Sequence, residues 1–286
     1  MSPTMPTSDT LTARILDLIA PLQLLLISFL ALPRAFLSAP FLPLNDLKAF
    51  RSLWFATVWK DLGPQMALSP EQTPYISSLF SRAHGTVLEL GPGSGDQMRH
   101  FLRPVNEGNV ARVVGAEPNV ALHERLLANA KAVGLDPARG RYIALPAGAE
   151  PGSLIPALYK AGLLVNTSSD SGIFDTIICV KSMCSAPQDQ MEQICTTIHT
   201  LLKPGGEFLF FEHVANDTDW LAMAWAWLLG WVWPLAMGNC HLNGRMDRVV
   251  EEMGPELWEN VDIGNTKQFR GWNVLRYVVG VCRKGD

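Results

Sequence analysis

The spacing of apolar positions changes several times along the chain, and each change marks a different kind of element. Residues Leu18 to Leu32 are apolar almost throughout and are closed by Pro33-Arg34, which predicts a hydrophobic helix weakened by Pro21 and Gln23. Ahead of it, residues 1–10 are small, polar and rich in Pro, Ser and Thr, a composition that predicts disorder. Prolines punctuate the next stretch, within which Leu47, Phe50, Leu53, Trp54 and Val58 recur at helical spacing and predict a helix from about Leu44 to Lys60. The pattern then shifts to short, continuous apolar runs. Thr86 to Leu90 and Ala111 to Glu117 read as buried strands. Met191 to Leu202 reads as an amphipathic helix, stopped by Pro204-Gly205-Gly206, which reverses into a buried strand. Trp258 to Gly264 and Trp272 to Cys282 supply the last two strands, the final one antiparallel. Strands alternating with helical stretches predict an α/β fold with a mostly parallel sheet, helices on both faces, and an N-terminal hydrophobic helix. The expected organisation is a tail and hydrophobic helix over 1–40, a connector with a lid or docking helix over 41–74, and one α/β domain over 75–286.

Composition narrows the classes. A chain of 286 residues suffices for one large domain, and a net charge of −4 without a Lys/Arg cluster argues against nucleic acid as a partner. Five cysteines without a CxxC pair point to a reducing compartment, and no linear His/Cys spacing suits structural zinc, so no metal is expected. The 18–32 segment is shorter than the roughly 20 residues that span hydrocarbon. A docking helix and a membrane anchor both fit it, whereas a signal peptide lacks its basic start and its cleavage site. Lys48, Arg51 and Lys60 follow the segment while Arg14 precedes it, a bias that favours an anchor with the domain facing the cytosol, on the endoplasmic reticulum or a lipid droplet in a eukaryote. Five of the nine tryptophans fall between Trp220 and Pro234 without a charge among them, so this predicted helix must be covered by protein, substrate or lipid. It is read as a wall of an acceptor pocket that also touches membrane.

The chemistry concentrates after the first strand. Glycines in Glu89-Leu90-Gly91-Pro92-Gly93-Ser94-Gly95-Asp96 let the backbone approach a ligand at the turn into the next helix, whose free N–H groups suit a carboxylate. Glu117 ends the second strand before Pro118-Asn119, where an acid can accept hydrogen bonds from both hydroxyls of a ribose. A pyrophosphate is disfavoured: Asp96 stands where a dinucleotide fingerprint has its third glycine, and the acidic rim repels phosphate but suits a cation.

In these motifs the chain resembles the class I S-adenosylmethionine (SAM)-dependent methyltransferases over about residues 75–284, which implies a Rossmann-like seven-stranded sheet, mostly parallel with one antiparallel strand, with Phe174 to Val180 matching the family's fourth strand and Leu201 to His213 its turn into the fifth. The resemblance implies SAM as cofactor, held by Glu89, Gly91, Gly93, Gly95, Asp96, Glu117, Pro118, Asn119, Ala149, Glu150, Val180 and Lys181, with Gly148 standing where the family has an acid for the adenine amino group. Cys179…Cys184-Ser185, Glu212-His213-Val214 and Trp233-Pro234…Cys240-His241-Leu242 are similar to elements of the membrane-associated subfamily that includes thiol S-methyltransferases. Methyl transfer to O, N or S of a small lipophilic acceptor by in-line displacement is then expected. Such transfer needs alignment above all, plus a base only if the nucleophile arrives protonated. His213 is the candidate base and Glu212 its neighbour at the strand end; a purely structural His213 fits equally well. A SAM-binding isomerase or cyclase that uses the sulfonium electrostatically, and a non-catalytic protein of the same fold, are the alternatives.

Overall fold

The computed structural model describes residues 7–164, 172–267 and 269–286. Seven strands form one sheet: β1 (Gly85–Leu90), β2 (Val110–Ala116), β3 (Tyr142–Leu145), β4 (Phe174–Val180), β5 (Leu202–Val214), β6 (Asn260–Asn265) and β7 (Arg276–Arg283). Their order across the sheet is β3-β2-β1-β4-β5-β7-β6. The first five pair in parallel, and β7 runs antiparallel to both β5 and β6. Both faces are buried, as a parallel sheet requires. Leu88, Leu90, Ile177, Phe208 and Phe210 point into one core layer, and Val87, Val113, Ile178, Leu209 and Phe211 into the other. The chain reverses direction across the sheet between β1 and β4, which opens the ligand crevice at the carboxyl ends of those strands.

The main helices are α1 (Thr7–Ser38), α2 (Leu47–Ala67), α3 (Thr73–Arg82), α4 (His123–Ala132), α5 (Pro151–Lys160), α6 (Met191–Leu201), α7 (Trp220–Leu229) and α8 (Met246–Leu257). Three depart from the pattern. Helix α1 begins at Thr7 and runs through both Pro21 and Pro33, so residues 7–10 are helical where disorder was predicted; residues 1–6 lie outside those described. An internal proline costs about 3 kcal/mol, and here docking along the helix offsets it. Leu25, Ala31 and Ala35 are buried with Phe50, Trp54 and Trp233, and Ser28 Oγ donates to Ala236 C=O at 2.7 Å. Helix α2 continues past Lys60 to Ala67; the Asp46 carboxylate accepts the Ala49 N–H at its start. The Trp-rich stretch is two pieces: α7 stops at Gly230, and a single turn, Trp233–Ala236, follows with Pro234 in its first turn. The helix expected after the glycine turn is a 3₁₀ turn, Met98–Phe101, followed by a short helical piece to Asn106.

These extra elements form a third layer, in which α1, α2 and α7 pack together over the carboxyl ends of the strands with Cys184, Trp233 and Cys240. At the far side, Gly280 leaves room for the Phe210 ring on the neighbouring strand, and a Cβ there meets the ring directly. Gly280→Ala should therefore cost about 1–3 kcal/mol through overpacking. Urea unfolding checks this, with a lowered midpoint at unchanged slope as the expected result.

Candidate active site

Helix α2, the β1 turn, and the loops after β2, β4 and β5 enclose a cleft of about 860 Å³, at the upper end of small-molecule sites. Gly91 and Gly93 stand at φ +63° and +59°, the left-handed region that a side chain resists. Space is as tight as torsion: a Cβ on Gly91 meets the Ser182 side chain, and one on Gly93 comes within 3.0 Å of Trp59 Nε1 on α2. The turn is fixed from beneath by Glu117. Its carboxylate accepts the Gly93 N–H and the Asn119 N–H, each at 2.8 Å, and Asn119 Nδ2 donates in turn to Ser52 C=O on α2 at 2.8 Å. A carboxylate has about four acceptor positions, so both Glu117 oxygens retain capacity for ligand hydroxyls. Burial pushes its pKa up and the two N–H donors pull it down.

The comparisons with known proteins agree with this geometry. The profile of the family described as "Methyltransferase domain" matches residues 65–249, which carry the β1 turn, Glu117 and the loops after β4 and β5. The chain belongs to this methyltransferase family. It has the fold of the class I SAM-dependent methyltransferases. Human thiol S-methyltransferase TMT1A is 30% identical over 80 residues, 28% of this chain and 32% of that protein, so the match spans about a third of the relative's length. An O-methyltransferase family protein from Burkholderia thailandensis has a similar fold, with a TM-score of 0.56 at 15% identity over 94% of this chain and 72% of that one. A geranyl diphosphate C-methyltransferase from Streptomyces coelicolor, whose structure holds S-adenosylhomocysteine, gives a TM-score of 0.50 at 13% identity over 74% of this chain and 76% of that one.

The residues that sequence singled out fall into two groups. Gly91, Gly93, Asp96, Glu117, Pro118, Asn119, Ala149, Glu150, Val180, Lys181 and His213 line the cleft. Glu89, Gly95 and Glu212 do not. Gly95 packs behind the turn against Leu126, Met98 and Asn129. Glu89 lies buried under the turn with Oε2 unpaired, and burial, together with the charge of Glu117, raises its pKa to about 8. Glu212 is a positioning group: its Oε1 accepts the Ser182 and Met183 N–H groups at 2.6 and 3.0 Å and fixes the turn after β4. Lys181, assigned by resemblance to the cofactor, turns at φ +57° and carries its ammonium 5.7 Å from the Tyr277 ring. Burial lowers its pKa to about 8, and its Nζ has no partner among the described residues. The Glu150 carboxylate folds over Gly148, into the space that a side chain at 148 needs.

Sequence reasoning missed two features. Trp59 and Ser52 of α2 belong to the cofactor cleft, for which the connector's helical pattern gave the element but not its direction. The fold also gathers Cys184, His213 and Cys240 at the other end of the cleft, with ligating atoms within 4.8 Å of one another. His213 Nε2 lies 2.8 Å from Cys240 Sγ, and Trp233 Nε1 donates to that sulfur at 3.1 Å. Their only sequence signal was that each sits in one of the segments carrying the subfamily resemblance.

Glu89 gives a pH signature. Its pKa in the folded chain, about 8, lies above the ordinary 4.5, so between these values the folded state holds a proton that the unfolded state has lost. Stability must fall as pH rises through that window. Glu89→Gln should flatten this decline, as measured by urea midpoints at intervals from pH 5 to about pH 8.5; an unchanged slope contradicts the assignment.

Proposed function

We propose that this enzyme transfers the methyl group of SAM to a small lipophilic acceptor, with a thiol sulfur as the favoured nucleophile. The observation that carries the proposal is the polarity of the cleft. One end presents Glu117, Asn119 and the free backbone of the β1 turn, and the other presents Trp233, Leu235, Met237 and Leu275 around His213 and Cys240. Glu117 suits ribose hydroxyls, the Gly91–Gly93 turn suits a carboxylate-bearing chain, and Glu150, folded over Gly148, is placed for the adenine amino group. When bound, SAM supplies a methyl group on a sulfonium that leaves readily. The protein's part is to hold the acceptor in line and dry, with His213 and its sulfur neighbours at the nucleophile. The human relative is a thiol S-methyltransferase by name, and a soft donor set beside an apolar pocket favours sulfur over oxygen or nitrogen.

The second part of the reading is a membrane surface. Helix α1 is long and apolar enough to cross a membrane, but its attachment favours lying flat. Arg14 pairs with Asp219 at 2.7 Å, Trp225 Nε1 donates to Leu18 C=O, and Trp54 Nε1 donates to Ser28 C=O. Bonds spread over that length tie one side of the helix to the domain. The other side exposes Leu16, Leu26, Leu30 and Leu37, and the Trp-rich stretch exposes Trp220, Trp227 and Trp231. Apolar surface of this kind suits the interfacial layer of a bilayer, where lipophilic acceptors concentrate.

Incubation with methyl-labelled SAM and a panel of hydrophobic thiols, phenols and amines tests the chemistry. Labelled thioether formed together with S-adenosylhomocysteine is the expected result, lost in Gly93→Asp. Turnover to an isomer of unchanged mass would favour the cyclase alternative. For the surface, Leu26→Asp combined with Trp227→Asp should weaken vesicle binding about tenfold or more, since each apolar side chain contributes about 1.5–3 kcal/mol when buried. Co-flotation measures this, and binding equal to that of the unaltered protein would remove the membrane reading.

A further inference from the structure

We propose that Cys184, His213 and Cys240 form a site for a soft divalent metal ion, Zn²⁺ by preference, whose fourth position opens to the cleft and takes the acceptor sulfur. The three side chains arrive from separate elements. Cys184 lies in the 3₁₀ turn Met183–Ser185 after β4, His213 lies at the end of β5, and Cys240 follows the turn Trp233–Ala236. The His241 N–H donates to Cys184 C=O at 2.8 Å, which ties the first of these segments to the last.

Geometry and chemistry both suit zinc. Zn–S near 2.3 Å and Zn–N near 2.0–2.1 Å in a tetrahedron place ligand atoms roughly 3.5–4 Å apart; the three atoms lie within 4.8 Å of one another, and His213 Nε2 and Cys240 Sγ, 2.8 Å apart without the ion, must open by under about 1 Å to receive it. Two thiolates and one imidazole form a donor set found in zinc sites that keep a position for substrate. All three side chains are buried yet border the cleft, so water competes little while one side stays accessible. An indole N–H can only donate, so Trp233 marks the Cys240 sulfur as an acceptor and supplies the outer-shell contact that a metal-bound thiolate usually has.

Metal binding stands on these residues alone, whereas its use in transfer rests on the thiol methyltransferase reading above. An acceptor thiol gives its proton to water in the cleft as its sulfur takes the open position. The sulfur lone pair then forms the new bond to the methyl carbon while the methyl–sulfonium bond breaks, its electron pair staying with the S-adenosylhomocysteine sulfur. The neutral thioether is a poorer ligand and departs.

The test uses full-length protein in mild detergent with a phosphine reductant, stripped with a chelator and titrated with Co²⁺ and then Zn²⁺. S-adenosylhomocysteine binding is followed in parallel. One equivalent of Co²⁺ with thiolate-to-cobalt charge-transfer absorption is expected, displaced by Zn²⁺ and shifted when a hydrophobic thiol is added. Cys184→Ser and Cys240→Ser should each bind metal at least about 100-fold more weakly, beyond the 10–100-fold of an outer-shell change. Cys195→Ala, on the core side of α6, should bind as the unaltered protein does. Protein that binds S-adenosylhomocysteine but no metal, or serine variants with unchanged metal affinity, would overturn the site. Metal binding without S-adenosylhomocysteine binding would instead count against the methyltransferase reading and leave the site standing.

Discussion

The buried carboxylate of Glu117 is the constraint on which the cofactor cleft depends. It joins the turn after β1 to the turn after β2 by accepting one N–H from each. Glycine at 93 is free to take its left-handed conformation, but freedom alone gives an ensemble of loops; the charge-assisted bonds select one. Asn119 carries the same link outward to α2, whose Trp59 closes the space over Gly93. The conformation of the glycine turn and the docking of the connector helix are therefore one structural arrangement. The cost is a crowded acidic site, visible in the raised pKa of Glu89, which shares its burial with Glu117.

The acceptor end depends on a different kind of order. Glu212 holds the turn after β4 through two backbone N–H groups, and that turn sets Cys184 beside His213. The third layer completes the enclosure: α1, α2 and α7 bury Trp233 and Cys240 from the outside. The hydrophobic N-terminal helix thus packs on one side into this wall of the cleft, and its other side stays exposed.

Sheet strands and the glycine turn were legible because their signals are local. Phe174–Val180 matches a family strand, and the strand found there has those bounds. Glu117 stands out in the sequence by its place after a strand, and the structure sets it at the cleft. What escaped was set by tertiary contact. Pro21 and Pro33 read as breaks, yet packing and side-chain bonds to carbonyls carry α1 through them. Gly230 ended the Trp-rich helix, although its apolar neighbours suggested continuity. Glu212, beside His213 in sequence, points the other way, as alternate residues of a strand must. The Cys184–His213–Cys240 cluster has no linear spacing to betray it, because the turn after β4, the end of β5 and the segment after Trp233–Ala236 create it together.

The most direct test of the account is calorimetric titration of S-adenosylhomocysteine into the purified protein and into Glu117→Ala. The account predicts micromolar binding by the unaltered chain and a loss of roughly 10–100-fold or more in the variant, since hydrogen bonds to a charged group contribute about 1.5–3 kcal/mol each. Absence of binding in the folded, unaltered protein, or equal affinity in the variant, would contradict the claim that Glu117 and the β1 turn form the cofactor site.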